Sequence, residues 1–168
     1  MLDKRIEEMK KMGLDARALE NWQFEVSVPR ERTAEVLSYL KSIGFKTFIH
    51  LACVDWIEEQ EFELVYNLEN YAEKLQALVK VRIPRNKPEM ETMMSIWGLC
   101  QVYEREIHEF FGINFVGNPN LKPFFLDEWL DIPPLRKDFD TLAFSQELFE
   151  FKEDESHGIK APKRIEYK

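Results

Sequence analysis

Three consecutive stretches in the middle of the chain have the residue pattern of β-strands, with no helical pattern between them. Residues 62–68 and 77–83 place an apolar side chain at every second position, which indicates strands with one buried face. Residues 45–54 come before them and are apolar on both faces, so we expect this strand to be central. Because strands joined by short turns pair antiparallel, the sequence predicts a three-stranded meander.

The flanking segments predict one further strand and the helices. Residues 22–28 alternate and are followed by Pro29, which predicts a fourth strand. Helices are expected over residues 3–12, 31–43 and 100–111, with one or two helical turns at 90–97 and Gly112 ending the last helix. The order α-β-α-β-β-β-α predicts a two-layer α+β fold, with helices packed on a mainly antiparallel four-stranded sheet.

The character of the sequence changes at Ile113. Four prolines that disfavour regular helix follow it: Pro119, Pro123, Pro133 and Pro134. The same stretch is rich in large apolar residues, which disordered tails normally lack, so we expect a partner protein to bury them. The predicted organisation is a compact domain over residues 1–112, a long extended partner-binding tail over 113–149 and a charged, mobile terminus over 150–168.

Charge and composition exclude several classes of function. The net charge is −8, which disfavours nucleic acid and anionic lipid as direct partners. No stretch reaches the roughly 20 apolar residues that span a bilayer, and the charged N-terminus does not look like an export signal. The two cysteines, Cys53 and Cys100, lie far apart in the sequence. We therefore expect a cytoplasmic chain without an iron–sulfur cluster or zinc site of its own.

The densest polar cluster lies at residues 103–112, within the predicted last helix. Glu106, His108 and Glu109 together suit acid–base chemistry, and Glu104 shares a helix face with His108 as two metal ligands could. The more common role of such a cluster is a solvated or ion-paired helix surface. The two-histidine spacing of zinc proteases is missing. We expect no catalytic and no metal-binding residue here, and a free-standing acid–base enzyme is kept as the alternative.

A second cluster, at residues 134–139, contains a positive pair followed by an aspartate and is bracketed by apolar residues. This composition suits docking into an acidic, partly apolar groove, where Arg136 could bind a carboxylate with two hydrogen bonds. A plain surface turn is the alternative interpretation of the same residues.

Taken together, four motifs resemble the C-subunit family of NADH–quinone oxidoreductase, the respiratory complex I. They are Y-E-R-E at 103–106, F-G-I at 111–113, G-x-P-x-L at 117–121 and P-L-R-K-D-F at 134–139. The V-D-W and S-I-W segments at 54–56 and 95–97 also look like the family's, and the resemblance covers about residues 22–139. Membrane-bound hydrogenases and related ferredoxin-linked complexes have subunits of the same family. The resemblance leaves open which complex this chain serves.

The resemblance implies a non-catalytic, cofactor-free subunit in the peripheral arm of a membrane-bound, ion-translocating electron-transfer complex. Its implied partners are the large hydrogenase-like or quinone-site subunit and the small iron–sulfur subunit, and the iron–sulfur clusters and a nickel–iron or quinone site are expected there. The implied location is peripheral, on the cytoplasmic side, with membrane contact only through the complex. The residues expected at the partner interface are Glu104, Arg105, Glu106, Phe111, Gly112, Pro119, Leu121, Pro134, Leu135, Arg136, Lys137, Asp138 and Phe139.

Overall fold

The structure, a computed structural model, describes residues 1–126 and 133–148. Its main sheet has five strands, in the order β1-β2-β5-β4-β3: β1 (Asp15–Glu20), β2 (Gln23–Ser27), β3 (Thr47–Trp56), β4 (Glu61–Asn70) and β5 (Leu75–Pro84). The meander of β3, β4 and β5 is antiparallel, as expected from the alternating pattern. The hairpin of β1 and β2 joins it through parallel pairing of β2 with β5.

Three helices of the first part of the chain begin and end within two residues of the expected positions. They are α1 (Leu2–Lys11), α2 (Thr33–Ser42), which follows a 3-10 turn, and α3 (Cys100–Phe111). Each buries an apolar stripe, because apolar side chains recur at three- and four-residue spacing. The buried side chains of helices and strands form one core, to which the helices contribute Ile6, Met9, Val36, Leu37, Leu40, Cys100 and Ile107.

Two expectations about the main sheet are wrong. The sheet has a fifth strand, β1, at its far edge, where no element was expected. Strand β3 lies at the opposite edge and not at the centre. Its apolar character has another cause: α3 packs against this strand, and Phe48 contacts the rings of Trp97 and Tyr103 at centroid distances of 5.9 and 5.7 Å.

Residues 90–97 do not form the expected helical turns from their start. Glu89–Glu91 is instead a short strand, β6, which pairs in parallel with β7 (Asn114–Val116). Met90 and Phe115 are opposite each other in this small sheet, and both are buried in the core. The apolar residues at 90–97 have the spacing of a helix. In the structure their side chains are buried instead by strand β6 and by the turns that follow it. Trp97 is buried, as expected.

The compact domain extends beyond the expected boundary at residue 112. The chain divides into two compact units, Met1–Lys137 and Asp138–Lys168, so that boundary falls inside the first unit. Ile113 is fully buried and Phe115 nearly so, because β7 completes the core. The second unit contains a helix, α4 (Thr141–Leu148), where an extended tail was expected. The terminus expected over 150–168 lies outside the described residues.

Candidate functional site

Helix α3 carries the polar cluster and is fixed in position by its buried side chains. Ile107 and Cys100 face the sheet, and Gly112 ends the helix in the left-handed conformation with a φ of 71°. The amide of Gly112 donates to the carbonyl of His108, which closes the last turn. Glu104 lies on this same buried side, four residues from Cys100 and three from Ile107, whereas Glu109 is directed toward residues 124–126, which follow α3.

Glu104 lies in the interior of the protein and is fully buried. Its carboxylate accepts hydrogen bonds from the amide of Met93 (2.7 Å), the hydroxyl of Thr92 (2.6 Å) and the side-chain amide of Asn118 (2.9 Å). Burial raises the pKa of Glu104 above its ordinary value, although these three donors act in the opposite direction. The residue therefore connects the turn before α3 to the turn after β7. It does so through buried hydrogen bonds and is not part of the solvated or ion-paired surface that is more common for such a cluster.

Glu109 and Arg105 hold the segment of residues 122–126 against α3. Glu109 is fully buried, and its two carboxylate oxygens accept the backbone N–H groups of three successive residues, 124–126, at 2.7–3.1 Å. Arg105 donates to the carbonyls of Lys122 and Pro123, and its guanidinium lies over the ring of Phe124. A carboxylate and a guanidinium from one helix thus satisfy the backbone of a segment without regular structure.

The P-L-R-K part of the second cluster, at the end of the first unit, lies beside the end of α3. The amide of Leu135 donates to the carbonyl of Phe110, and Arg136 donates through Nε to the carbonyl of Phe111 at 2.7 Å. The guanidinium of Arg136 also lies over the ring of Phe62, 5.2 Å from its centroid. Arg136 therefore joins the end of α3 to strand β4.

A buried ion pair anchors the same segment from the other side. Asp55 and Arg85 are 4% and 9% exposed, and Arg85 donates through Nε to one carboxylate oxygen at 2.9 Å and through Nη2 to the other at 3.2 Å. The second oxygen also accepts the amide of Lys137 at 2.9 Å. One carboxylate thus links β3, the residue after β5 and the end of the 133–137 segment.

Gly112 is required where the 133–137 segment crosses the end of α3. An added Cβ would lie 2.8 Å from Cγ of Pro133 and 3.1 Å from a guanidinium nitrogen of Arg136, and φ is positive. Gly112→Ala is expected to lower the free energy of unfolding by about 1–3 kcal/mol in urea denaturation, from backbone strain and this contact. Gly98→Ala is the matched control, because nothing lies within 4 Å of its added Cβ. Equal stability of the two variants would contradict this assignment.

The three residues of the acid–base alternative do not converge on a common point. Glu109 is occupied by backbone amides, and Nδ1 of His108 is hydrogen-bonded to the carbonyl of Ile113 at 2.9 Å. Glu106 makes no hydrogen bond with either of them within the described residues. The thiols also lack the activation that a nucleophile needs, because burial raises the pKa of both Cys53 and Cys100, the latter to about 12.

The remaining expected interface residues are distributed over several surfaces. Pro119 is exposed, Leu121 packs on the core, and Leu135 and Lys137 are exposed. Asp138 and Phe139 belong to the second unit, where Phe139 packs on Phe144 of α4.

Within residues 1–126 and 133–148, no group of His, Cys, Asp and Glu side chains is placed to hold a metal ion. None of the described helices has the length and apolar character that a membrane crossing requires.

Sequence reasoning did not single out Arg85 or Asn118 as functional residues. Arg85 follows a strand directly, and Asn118 lies in a Gly-Asn-Pro turn, so each looked like an ordinary surface residue. Asp55 was noticed only as part of V-D-W. One feature of the sequence could have indicated the ion pair: Asp55 lies inside an apolar strand, and a buried carboxylate requires a partner.

The chain belongs to the family of the respiratory-chain NADH dehydrogenase 30 Kd subunit, whose pattern it matches over residues 26–145. It is 37% identical over 115 residues to the C subunit of F(420)H(2) dehydrogenase from Methanosarcina mazei, a match that covers 67% of this chain and 73% of that protein. It is 30% identical over 140 residues to the C subunit of NADH-quinone oxidoreductase from Moorella thermoacetica, covering 82% and 95%.

A solved structure of a respiratory membrane complex contains the same fold. One polypeptide of the membrane-bound sulfane sulfur reductase, an archaeal respiratory membrane complex, is similar with a TM-score of 0.80 and 34% identity, covering 95% of this chain and 96% of that one. The relatives are thus subunits of complex I-type and membrane-bound respiratory complexes. The resemblance to the C-subunit family is confirmed.

Proposed function

We propose that this chain is a non-catalytic subunit in the peripheral arm of a membrane-bound, ion-translocating electron-transfer complex, of the complex I or hydrogenase-like type. It carries no cofactor itself. It docks on the large hydrogenase-like or quinone-site subunit and neighbours the small iron–sulfur subunit. The iron–sulfur clusters and the quinone or nickel–iron site reside in these partners, and the chain lies on the cytoplasmic side of the membrane.

The observation that supports this proposal most strongly is that hydrogen bonds within the chain occupy the buried carboxylates of α3. Glu104 and Glu109 each accept three hydrogen bonds from their own chain. A general base must instead direct a lone pair toward a substrate proton. A carboxylate that is saturated with backbone and side-chain donors stabilises loops, and these loops shape a surface. Membership of the family supports the same role, since its members are subunits of larger assemblies.

Purification from native membranes tests the proposal. A tagged chain, recovered from detergent-solubilised membranes of its own organism, is expected to elute with the large and the small iron–sulfur subunits in equal amounts. The chain produced alone is expected to be colourless and free of stoichiometric transition metal and flavin. Elution of the chain alone from solubilised membranes would contradict the docking, and a stoichiometric metal or a flavin spectrum would contradict the cofactor-free role.

A further inference from the structure

One side of α3 faces solvent and presents apolar side chains. Leu99, Val102, Glu106 and Phe110 recur at intervals of three and four residues, so they lie along one side of the helix axis. Leu99 is 49% and Val102 41% exposed. This side is turned away from the sheet and borders the side that holds residues 122–126, because Glu109 is three residues from Glu106.

Two further aromatic residues extend this surface beyond the helix. Phe125 stacks on Phe110 with ring centroids 5.8 Å apart. The ring centroids of Phe124 and Phe125 are 4.2 Å apart. Phe124 is 39% and Phe125 59% exposed. We refer to the whole surface as the α3 stripe, and its members are Leu99, Val102, Glu106, Phe110, Phe124 and Phe125.

Residues of α3 hold the backbone that carries the two exposed rings. The amides of both Phe124 and Phe125 are bonded to the buried carboxylate of Glu109, and Arg105 lies over the ring of Phe124. Ordering a segment costs conformational entropy, and here that ordering leaves two aromatic side chains in solvent. A surface that is already ordered loses less entropy on binding, and aromatic residues are frequent among those that dominate binding energy.

Glu106 lies in the middle of the α3 stripe, one helical turn from Val102 on one side and from Phe110 on the other. It has no ion pair or hydrogen bond with any residue of the described parts of the chain. A carboxylate within an apolar surface is complementary to an apolar surface that carries one basic side chain. It disfavours an anionic lipid surface, because like charges would face each other.

We propose that the α3 stripe is the surface through which this chain docks on the large subunit of its complex, and that the large subunit presents apolar side chains around an arginine or lysine opposite Glu106. This inference rests on the proposed function and adds the location and the chemistry of the contact. Phe124 and Phe125 supply apolar area at one end of the contact, and Glu106 sets its register by pairing with the basic residue.

Binding of the full-length chain to the purified large subunit of the same complex tests this inference. Val102→Asp and Glu106→Arg are each expected to weaken binding at least about tenfold, and Glu106→Gln less than Glu106→Arg, because it removes the charge without reversing it. Leu19→Asp is the matched control: Leu19 is 40% exposed, like Val102, but lies on β1 at the opposite edge of the sheet. It is expected to bind within about threefold of wild type.

The possible results distinguish a failure of the inference from a failure of the proposed function. Wild-type binding that Val102→Asp and Glu106→Arg leave unchanged would overturn the α3 stripe and keep the docking role. An equal loss with Leu19→Asp would also overturn it, because the effect would not be specific to this surface. Failure of the wild type to bind the large subunit would overturn both. Unfolding midpoints of all variants are measured in parallel. We expect them to match wild type, since Val102 and Leu19 are exposed and Glu106 is only partly buried and makes no hydrogen bond or ion pair within the described residues.

Discussion

Replacing Glu104 with alanine is expected to lower the free energy of unfolding by about 3–5 kcal/mol, a large part of the stability of a typical domain. The variant would leave the amide of Met93 and the side-chain amide of Asn118 buried without their acceptor, and it would open a cavity beside them. Each unsatisfied buried donor costs about 1–3 kcal/mol. Urea denaturation followed by circular dichroism measures the loss.

Glu106→Ala is the control for that experiment, because it removes the same carboxylate two residues away on the same helix. Its effect on unfolding is expected to be within about 0.5 kcal/mol, as for a surface substitution. If both variants unfolded at the same urea concentration, Glu104 would not be the residue that holds the turns at either end of α3.

The contribution of Glu104 should also depend on pH. Burial raises its native pKa above the ordinary value of 4.5, so its contribution is complete below that value and is lost as the pH rises through the native pKa. Glu104→Gln does not titrate. The difference in unfolding free energy between wild type and Glu104→Gln is therefore expected to shrink as the pH is raised from about 4.5 toward neutrality. A difference that grew with pH would show that the native pKa is lowered.

Asp55→Ala is expected to cost a similar amount, about 3–5 kcal/mol, because it removes one partner of a buried ion pair. Arg85 would lose the two hydrogen bonds that it donates to this carboxylate, and the amide of Lys137 would lose its acceptor. A second readout follows from that lost hydrogen bond. Trypsin should cut after Arg136 and Lys137 faster in the variant, since the 133–137 segment is no longer anchored on this side.

An exposed ion pair of the same sheet provides the comparison for Asp55. Arg82 and Glu61 lie 3.4 Å apart with side chains 37% and 41% exposed, so Glu61→Ala should cost only about 0–1 kcal/mol. Equal losses in the two variants, or unchanged trypsin cleavage in Asp55→Ala, would mean that the Asp55–Arg85 pair does not anchor the segment.

The sequence was sufficient to predict most elements whose pattern is local. The alternation at 62–68 and 77–83 and the helical pattern that ends at Gly112 each depend only on residues close together in the sequence. The strands β4 and β5 and the helix α3 that they predict are present in the structure. The position of β3 was not predictable in this way. An apolar strand is buried equally well by neighbouring strands or by a helix on its face, and α3 lies fifty residues further along the chain. Strand β1 was missed because only Ala16 in it is buried.

For the candidate site, the sequence predicted which helix carries the polar residues but not what they contact. Glu104, Glu106 and Glu109 are the same residue type on the same helix, and sequence spacing alone does not tell that two are buried and one is only partly buried. Their roles depend on Asn118 and on residues 124–126, which approach only after the chain has turned at Gly112. Arg136 illustrates the same limit: its described partners, the Phe111 carbonyl and the Phe62 ring, come from distant parts of the sequence.

The parallel pairing of β2 with β5 has a consequence for the synthesis of the chain. Gln23 on β2 pairs with Gln76 on β5, which is 53 residues further along. During translation the hairpin of β1 and β2 is made first, and its inner edge has no partner strand until β5 has left the ribosome. An isolated two-stranded hairpin is only marginally stable in water. The nascent chain therefore exposes an open strand edge through much of its synthesis, and this is the interval in which we expect it to depend on chaperones.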